Sequence, residues 1–361
     1  MLNRFLRDFV RRGRLTVTYA DGSRCSFGAD VDSPEVAVRL TEASVPWKLA
    51  VWPDFYLGEA YMRGQLLLDQ GTLWDLLDLC GRNLELRLQR GQAIWLRIAA
   101  AASRRIQQLN TMRAARKNVA HHYDLSLELY CSFLDPDLQY SCAYFSEPGL
   151  PLQLAQREKK RHIIAKLLLE PGQHVLDIGC GWGGLAIEIA RAAKVQVLGI
   201  TLSTEQLRVA SQRAAEAGLE DRVSFALCDY RAVQGRFDRI VSVGMFEHVG
   251  TPYYDAFFDE LHRLMPDKGI ALLHSIGRMH GPEFTSAWIR KYIFPGGYIP
   301  ALSEVVPSVE RAGLWLTDWK FSDFTTLRRS GRGASDSWRA RLTSIQPMMI
   351  VSRGCGSSTS P

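Results

Sequence analysis

Ten residues from Val175 to Gly184 read Val-Leu-Asp-Ile-Gly-Cys-Gly-Trp-Gly-Gly and set an apolar run, an acid and a glycine turn ahead of an apolar helical pattern. Glycines permit positive φ and let a ligand lie against bare backbone. A helix that starts there offers unsatisfied amides to it. Gly179, Gly181 and Gly184 also meet the GxGxxG spacing of dinucleotide sites. Such sites place an acid about twenty residues onward for the ribose. Here the second strand pattern ends Gly199-Ile200-Thr201-Leu202-Ser203, without one. A nicotinamide cofactor is therefore disfavoured, and Asp177 becomes the acid of the site.

The elements around this turn alternate between strand and helix after Lys160, a pattern of βαβ units and a mainly parallel sheet. Strand-like runs follow in RVSFALCDY, FDRIVSVGMFEHV, GIALLHSIG and GLWLTDW. The first 105 residues differ. They combine LTVTYADGSRCSF, with Asp21-Gly22 as a hairpin turn, and helical stretches such as TLWDLLDLCGRNLELRLQ, which predicts a small α+β domain. A polar helical stretch from Arg104 to Asn118, free of Pro and Gly, marks the junction. The expected division is 1–105, 106–319 and a tail from 320 to 361.

Composition narrows the function classes. At 361 residues and 47% apolar content there is material for two cores, and no run approaches the twenty apolar residues of a membrane span. The first residues carry charge too closely spaced for a secretory leader, so the expectation is cytoplasmic. Seven scattered cysteines without a CxxC pair point away from disulfides and zinc, and no metal is expected. The net charge of +6 sits mostly after residue 319, where seven cations face two acids, so it gives no reason to expect nucleic acid. Local basicity between Arg87 and Lys117 fits either a solvated helix face or a surface for anionic lipid headgroups.

Asp177 ahead of the first glycine is the arrangement of S-adenosylmethionine methyltransferases, which the segment resembles. Four further segments narrow the resemblance: AHHYDLSLELYCSFLDPDLQYSCAYF (120–145), LGITLSTEQL (198–207), GMFEHVG (244–250) and LLHSIGR (272–278). Together they resemble the cyclopropane-fatty-acyl-phospholipid and mycolic acid cyclopropane synthases. That resemblance implies a Rossmann-like class I methyltransferase domain joined to the small N-terminal α+β domain. It also implies transfer of a methylene from S-adenosylmethionine to the cis double bond of a phospholipid acyl chain. The implied catalytic pocket, holding a bicarbonate as base, comprises Cys142, Glu247, His274 and the backbone at Ile276. Implied cofactor contacts are Tyr140, Ser141, Asp177, Gly179, Gly181, Thr201, Gln206 and Asp229, with Tyr230 beside the last. Tyr144, Phe246, Tyr292 and Phe294 are candidates for an acyl channel or for plain core packing. The partners implied are unsaturated phospholipid and the inner face of the cell membrane, with a homodimer left open. Alternatives are a related transferase that leaves a methyl branch or methylates a small molecule, and an inactive cofactor-binding remnant.

The remnant reading rests on the tail. From Lys320 onward Ser, Gly and Arg dominate and periodicity fades, which predicts disorder. A reading displaced by one base near codon 319 is compatible with segments resembling the C-terminal region of the same family. It puts that family's pocket tyrosine where this chain has Thr326. The expectation is a lost phenol donor and a sheet without its closing antiparallel strand.

Overall fold

The computed structural model describes residues 1–28, 35–88, 108, 127–147, 149–278, 281–322 and 344–353. The chain divides into two compact units, one of Met1–Ser103 with Phe284–Pro295 and the other of Arg104–Glu283 with Gly296–Pro361. The basic stretch from Arg87 to Lys117, the junction helix and Thr326 fall outside the described residues, apart from Arg87, Leu88 and Gln108.

In the first unit the helix α1 (Leu2–Phe9) precedes β1 (Arg14–Thr18), β2 (Arg24–Phe27) and β3 (Glu35–Leu40). Then come α2 (Val45–Val51), α3 (Pro53–Met62), β4 (Leu66–Gln70) and α4 (Leu73–Leu88). The sheet order is β2-β1-β3-β4, with β1 and β3 parallel and the other pairs antiparallel. Asp21-Gly22 turns the β1–β2 hairpin, where the Gly22 amide donates to the Tyr19 carbonyl. Leu15, Val17, Val36, Val38 and Leu40 point into one core with Leu76 and Leu79 of α4. Thr72 starts α4 reciprocally: its Oγ1 accepts from the Asp75 amide while Asp75 accepts from the Thr72 amide.

The second unit carries α5 (Leu127–Phe133), α6 (Leu152–Leu167), β5 (His174–Ile178), α7 (Gly184–Ala192), β6 (Gln196–Thr201), α8 (Thr204–Glu216) and β7 (Val223–Leu227). It continues through β8 (Arg239–Val243), α9 (Tyr254–Leu264), β9 (Ile270–His274) and β10 (Gly277–Arg278). The short helix α10 (Ala287–Tyr292) belongs to the first unit. The second unit closes with α11 (Leu302–Arg311), β11 (Trp315–Ser322) and β12 (Ser344–Ser352). The sheet runs β10-β12-β9-β8-β5-β6-β7, with β11 beside β12. Strands β5 to β9 are parallel to one another, the α/β architecture expected. Val175, Leu176 and Ile178 of β5 and Ile240 and Val241 of β8 are buried on both faces, as parallel strands between helix layers must be.

The tail departs from expectation. Ser344–Ser352, read as disordered, forms β12 and pairs antiparallel with both β9 and β11. The closing strand is therefore present in the residues as they stand. Met348, Met349, Ile350 and Val351 are all buried. A strand covered on both faces needs no alternation, so its signal is a short apolar run, and the Ser, Gly and Arg around this one concealed it.

Candidate active site

Residues at the carboxyl ends of the parallel strands converge on one edge of the sheet, where open α/β sheets bind their ligands. At the end of β5, Gly179 and Gly181 adopt φ of 80° and 54°. The Gly179 and Cys180 amides donate to the Ile200 carbonyl at 2.9 and 3.0 Å, curling the chain back over β6. A Cβ on Gly179 would lie 2.8 Å from Cβ of Met245, so only glycine fits between the two turns. Gly181 faces open space instead.

Asp177 is 2% exposed, and its Oδ2 has no hydrogen-bond partner among the described residues. Burial alone pushes its pKa up to about 7. An orphaned buried carboxylate beneath a glycine turn suits a cationic or hydrogen-bond-donating ligand. At the end of β6, Thr201 Oγ1 donates to Gln206 Oε1 at 2.7 Å, and Ser203 caps α8 by accepting from the Gln206 amide. All three side chains are buried. Fixing the carbonyl of Gln206 leaves its Nε2 as the end that can donate to a hydroxylated ligand. These groups fit S-adenosylmethionine: an acid for its ammonium, an amide for its ribose and bare backbone at the turn. Asp229, just past β7, has both its oxygens engaged by Arg231 at 2.7 and 2.8 Å.

The other half of the site is built from two turns. Ser242 of β8 donates to the Ile178 carbonyl, and the Gly244 amide donates to the His274 carbonyl at 2.9 Å. The 3-10 turn Phe246–His248 then carries Glu247, 2% exposed, to the 274–276 segment. The Ile276 amide donates to Glu247 Oε1 at 2.6 Å. Glu247 Oε2 has no hydrogen-bond partner among the described residues. Burial raises this carboxyl to about 7 against the partial relief of the Ile276 amide. Its backbone carbonyl is held by the Tyr298 amide at 2.8 Å. Ser141 packs beside Gly244, where an added Cβ would meet the serine Cβ at 3.4 Å. Cys142 follows it, half-buried.

The structure thus brings Ser141, Glu247, His274 and Ile276 to one corner, next to the glycine turn through Met245. Both backbone groups of Ile276 are engaged within the protein, its amide by Glu247 and its carbonyl by Ser275 Oγ. Tyr140 joins an aromatic cluster with Tyr130, whose ring also meets Trp182 of the glycine loop. Of the channel candidates, Phe246 is core, 1% exposed and stacked on Tyr254 at 4.4 Å. Tyr144 stacks on His162. Tyr292 and Phe294 lie in the first unit, where the Tyr292 hydroxyl donates to Glu59.

Residues 110–351, two thirds of the chain, match the family described as mycolic acid cyclopropane synthetase. The chain belongs to that family. Among the relatives of this chain, the cyclopropane-fatty-acyl-phospholipid synthase of Escherichia coli strain K12 is 41% identical over 268 residues, covering 72% of this chain and 68% of that protein. A tuberculostearic acid methyltransferase of Mycobacterium tuberculosis is 34% identical over 328 residues, covering 88% and 75%. A crystal structure of a mycolic acid cyclopropane synthase complexed with SAH and CTAB superposes with a TM-score of 0.54 at 36% identity, covering 57% of this chain and 77% of that one.

The motifs of the synthetase family led to the glycine turn and the Glu247 corner but not to what holds Ser141. One face of α6 grips the 135–142 segment. Gln156 Nε2 donates to the carbonyls of Gln139 and Ser141 at 3.1 and 3.0 Å, Lys159 reaches Ser141 Oγ at 2.7 Å, and Lys160 pairs with Asp137 at 2.7 Å. The signal was present as Gln156, Lys159 and Lys160 on one face of an otherwise apolar helix stripe. A lysine pair in a charged helix reads first as solvated surface.

Proposed function

We infer that this chain is a cyclopropane-fatty-acyl-phospholipid synthase, converting a cis double bond of a phospholipid acyl chain into a cyclopropane ring. The observation that carries this reading is a second buried, half-satisfied carboxyl, Glu247, set beside the glycine turn of a methyltransferase sheet. When bound, S-adenosylmethionine supplies an electrophilic methyl group on sulfur. Asp177 and Gln206 would hold its ammonium and its ribose, and the bare backbone at Gly179 would let it lie close to the turn. An alkene is a poor nucleophile, so this positioning and the exclusion of water are the main contributions of the protein.

Addition of the methyl group leaves cationic character on the lipid chain. One proton of the new methyl must then leave so that its electron pair closes the ring. Bicarbonate held among Cys142, Glu247 and His274 would supply the base. Glu247 fits such an anion because a carboxyl raised to about 7 is partly protonated at neutral pH and can donate through its open Oε2. Proton transfer onto this carboxyl is equally accessible near pH 7.

The substrate lies in a bilayer, and we read the protein as peripheral to it. Among the described residues no helix is long and apolar enough to cross a membrane. Trp47 and Val51 on α2 and the adjoining Trp52 are about half exposed or more, in keeping with an interfacial contact. One experiment tests the whole reading. The purified chain is incubated with S-adenosylmethionine and vesicles of unsaturated phospholipid, and the recovered lipid is examined by proton NMR. The expected result is high-field cyclopropane methylene signals, with protein pelleting alongside the vesicles. A methyl-branched acyl product, or methylation of a water-soluble acceptor alone, overturns it. Cofactor binding with no product at all favours the remnant reading.

A further inference from the structure

Two adjacent lysines of α6 are buried, Lys159 at 2% and Lys160 at 6% exposure. Lys160 is matched by the Asp137 carboxylate, which Arg213 also engages. Lys159 is not matched in this way. Its Nζ meets three neutral acceptors: Ser141 Oγ at 2.7 Å, Gln139 Oε1 at 3.0 Å and the Ser141 carbonyl at 3.4 Å. No carboxylate lies within ion-pair distance of it among the described residues. A buried ammonium without a counter-ion is strongly unfavourable unless an anion completes the site.

The direction of these bonds carries further information. An ammonium has donors only, so Ser141 Oγ must accept from Lys159, and the serine proton is turned away toward another acceptor. Ser141 stands against Gly244 at the end of β8, and Met245, the next residue, abuts Gly179. The hydroxyl is therefore a fixed donor at the rim of the cofactor turn, with a positive charge one bond behind it.

We propose that Lys159 is the positioning residue for the carboxylate of the cofactor's methionine end, polarising Ser141 so that its hydroxyl donates to that carboxylate. This rests on the reading of the turn as an S-adenosylmethionine site and extends it to a residue outside the family motifs. The ammonium acts through Ser141 and the buried field, and Gln156 holds the Ser141 carbonyl so that the hydroxyl cannot drift. Burial pulls the Lys159 pKa down to about 8, against the opposing pull of Cys142, Asp135 and Asp137 on the facing segment, while Lys160 on its own helix adds to the lowering. A bound carboxylate stabilises the charged form and so raises that pKa.

Calorimetric binding of S-adenosylhomocysteine and of 5′-methylthioadenosine, which lacks the amino-acid end, tests the proposal on the intact chain. Lys159→Met is expected to weaken S-adenosylhomocysteine by about ten- to a hundredfold, the scale of a lost hydrogen bond to a charged group, and to leave 5′-methylthioadenosine within about threefold. Ser141→Ala should show the same selectivity, and it decides the matter if Lys159→Met does not fold. In the unsubstituted chain, S-adenosylhomocysteine affinity should also decline above pH 8, a limb that Lys159→Met removes. Equal loss for both ligands, or no loss for either, overturns the proposal. If the unsubstituted chain binds neither ligand, the cofactor reading itself has failed, which is a distinct result.

Discussion

Glu247→Gln is expected to lower the turnover of ring formation by about a hundredfold or more while leaving S-adenosylhomocysteine affinity unchanged. Gln retains the shape of Glu, accepts from the Ile276 amide through its own carbonyl, and can donate to an anion from Oε2's position. It cannot take up a proton. The loss should therefore appear in kcat rather than in KM for the vesicle substrate, on the scale of removing a proton-transfer group from a preorganised site. The same substitution should stabilise the fold at alkaline pH. The folded-state pKa of Glu247, raised to about 7, lies above its ordinary value of 4.5. The folded state thus holds this proton more tightly than the unfolded chain does. The associated stability is fully present below about 4.5 and is lost as pH rises through about 7. Above that pH the ionised buried carboxylate costs on the order of 3 kcal/mol, which Gln avoids. Thermal unfolding at pH 5 and pH 8.5 checks the sign: the variant should gain stability only in the alkaline scan. A turnover within threefold of the unsubstituted chain would remove Glu247 from the proton path.

Much of this site was legible because its chemistry constrains backbone and sequence together. Gly179 must be glycine where β5 turns against Met245, and Thr201, Ser203 and Gln206 form a cap and amide clamp within six residues of one another. Such local devices leave a contiguous signature. Contacts made across the fold do not. Lys159 meets Ser141 eighteen residues away, and its neutral acceptors give no charge pattern for a reader to match. The pairing of Arg231 with Asp229, two residues away, was not part of the reading of Asp229 as a cofactor contact. For β12 the obstacle was composition: four buried residues between Pro347 and Ser352 are too few to outweigh the Ser, Gly and Arg on either side. That strand nevertheless lies against β9, whose last residue is His274, so the tail helps to frame the corner of Glu247 and His274.

Asp177→Asn is expected to weaken S-adenosylhomocysteine binding by about a hundredfold and to abolish the acid limb of its pH dependence. Among the described residues no cation pairs with Asp177, and burial raises its pKa to about 7 from 3.8. The cofactor's ammonium needs the ionised form, so affinity should fall as pH drops below 7 and reach its plateau above it. Binding at pH 7 should release a proton from this carboxyl, which calorimetry in buffers of different ionisation enthalpy detects directly. Lys159 makes the opposite demand, since its charge is lost above about 8. The two groups together predict an affinity maximum between pH 7 and 8, with Asp177→Asn removing the acid side and Lys159→Met the alkaline side. In the ligand-free chain the sign for stability follows the same logic as for Glu247: the protonated folded state is favoured below about 4, and ionisation through pH 7 is destabilising by on the order of 4 kcal/mol. Asp177→Asn should consequently be more stable than the unsubstituted chain at pH 8 yet bind the cofactor poorly. The buried acid would then be a group that destabilises the empty site because it is matched to a cation that only the ligand provides. A variant that binds S-adenosylhomocysteine normally at both pH 6 and pH 8 would show that the orphaned oxygen serves packing alone.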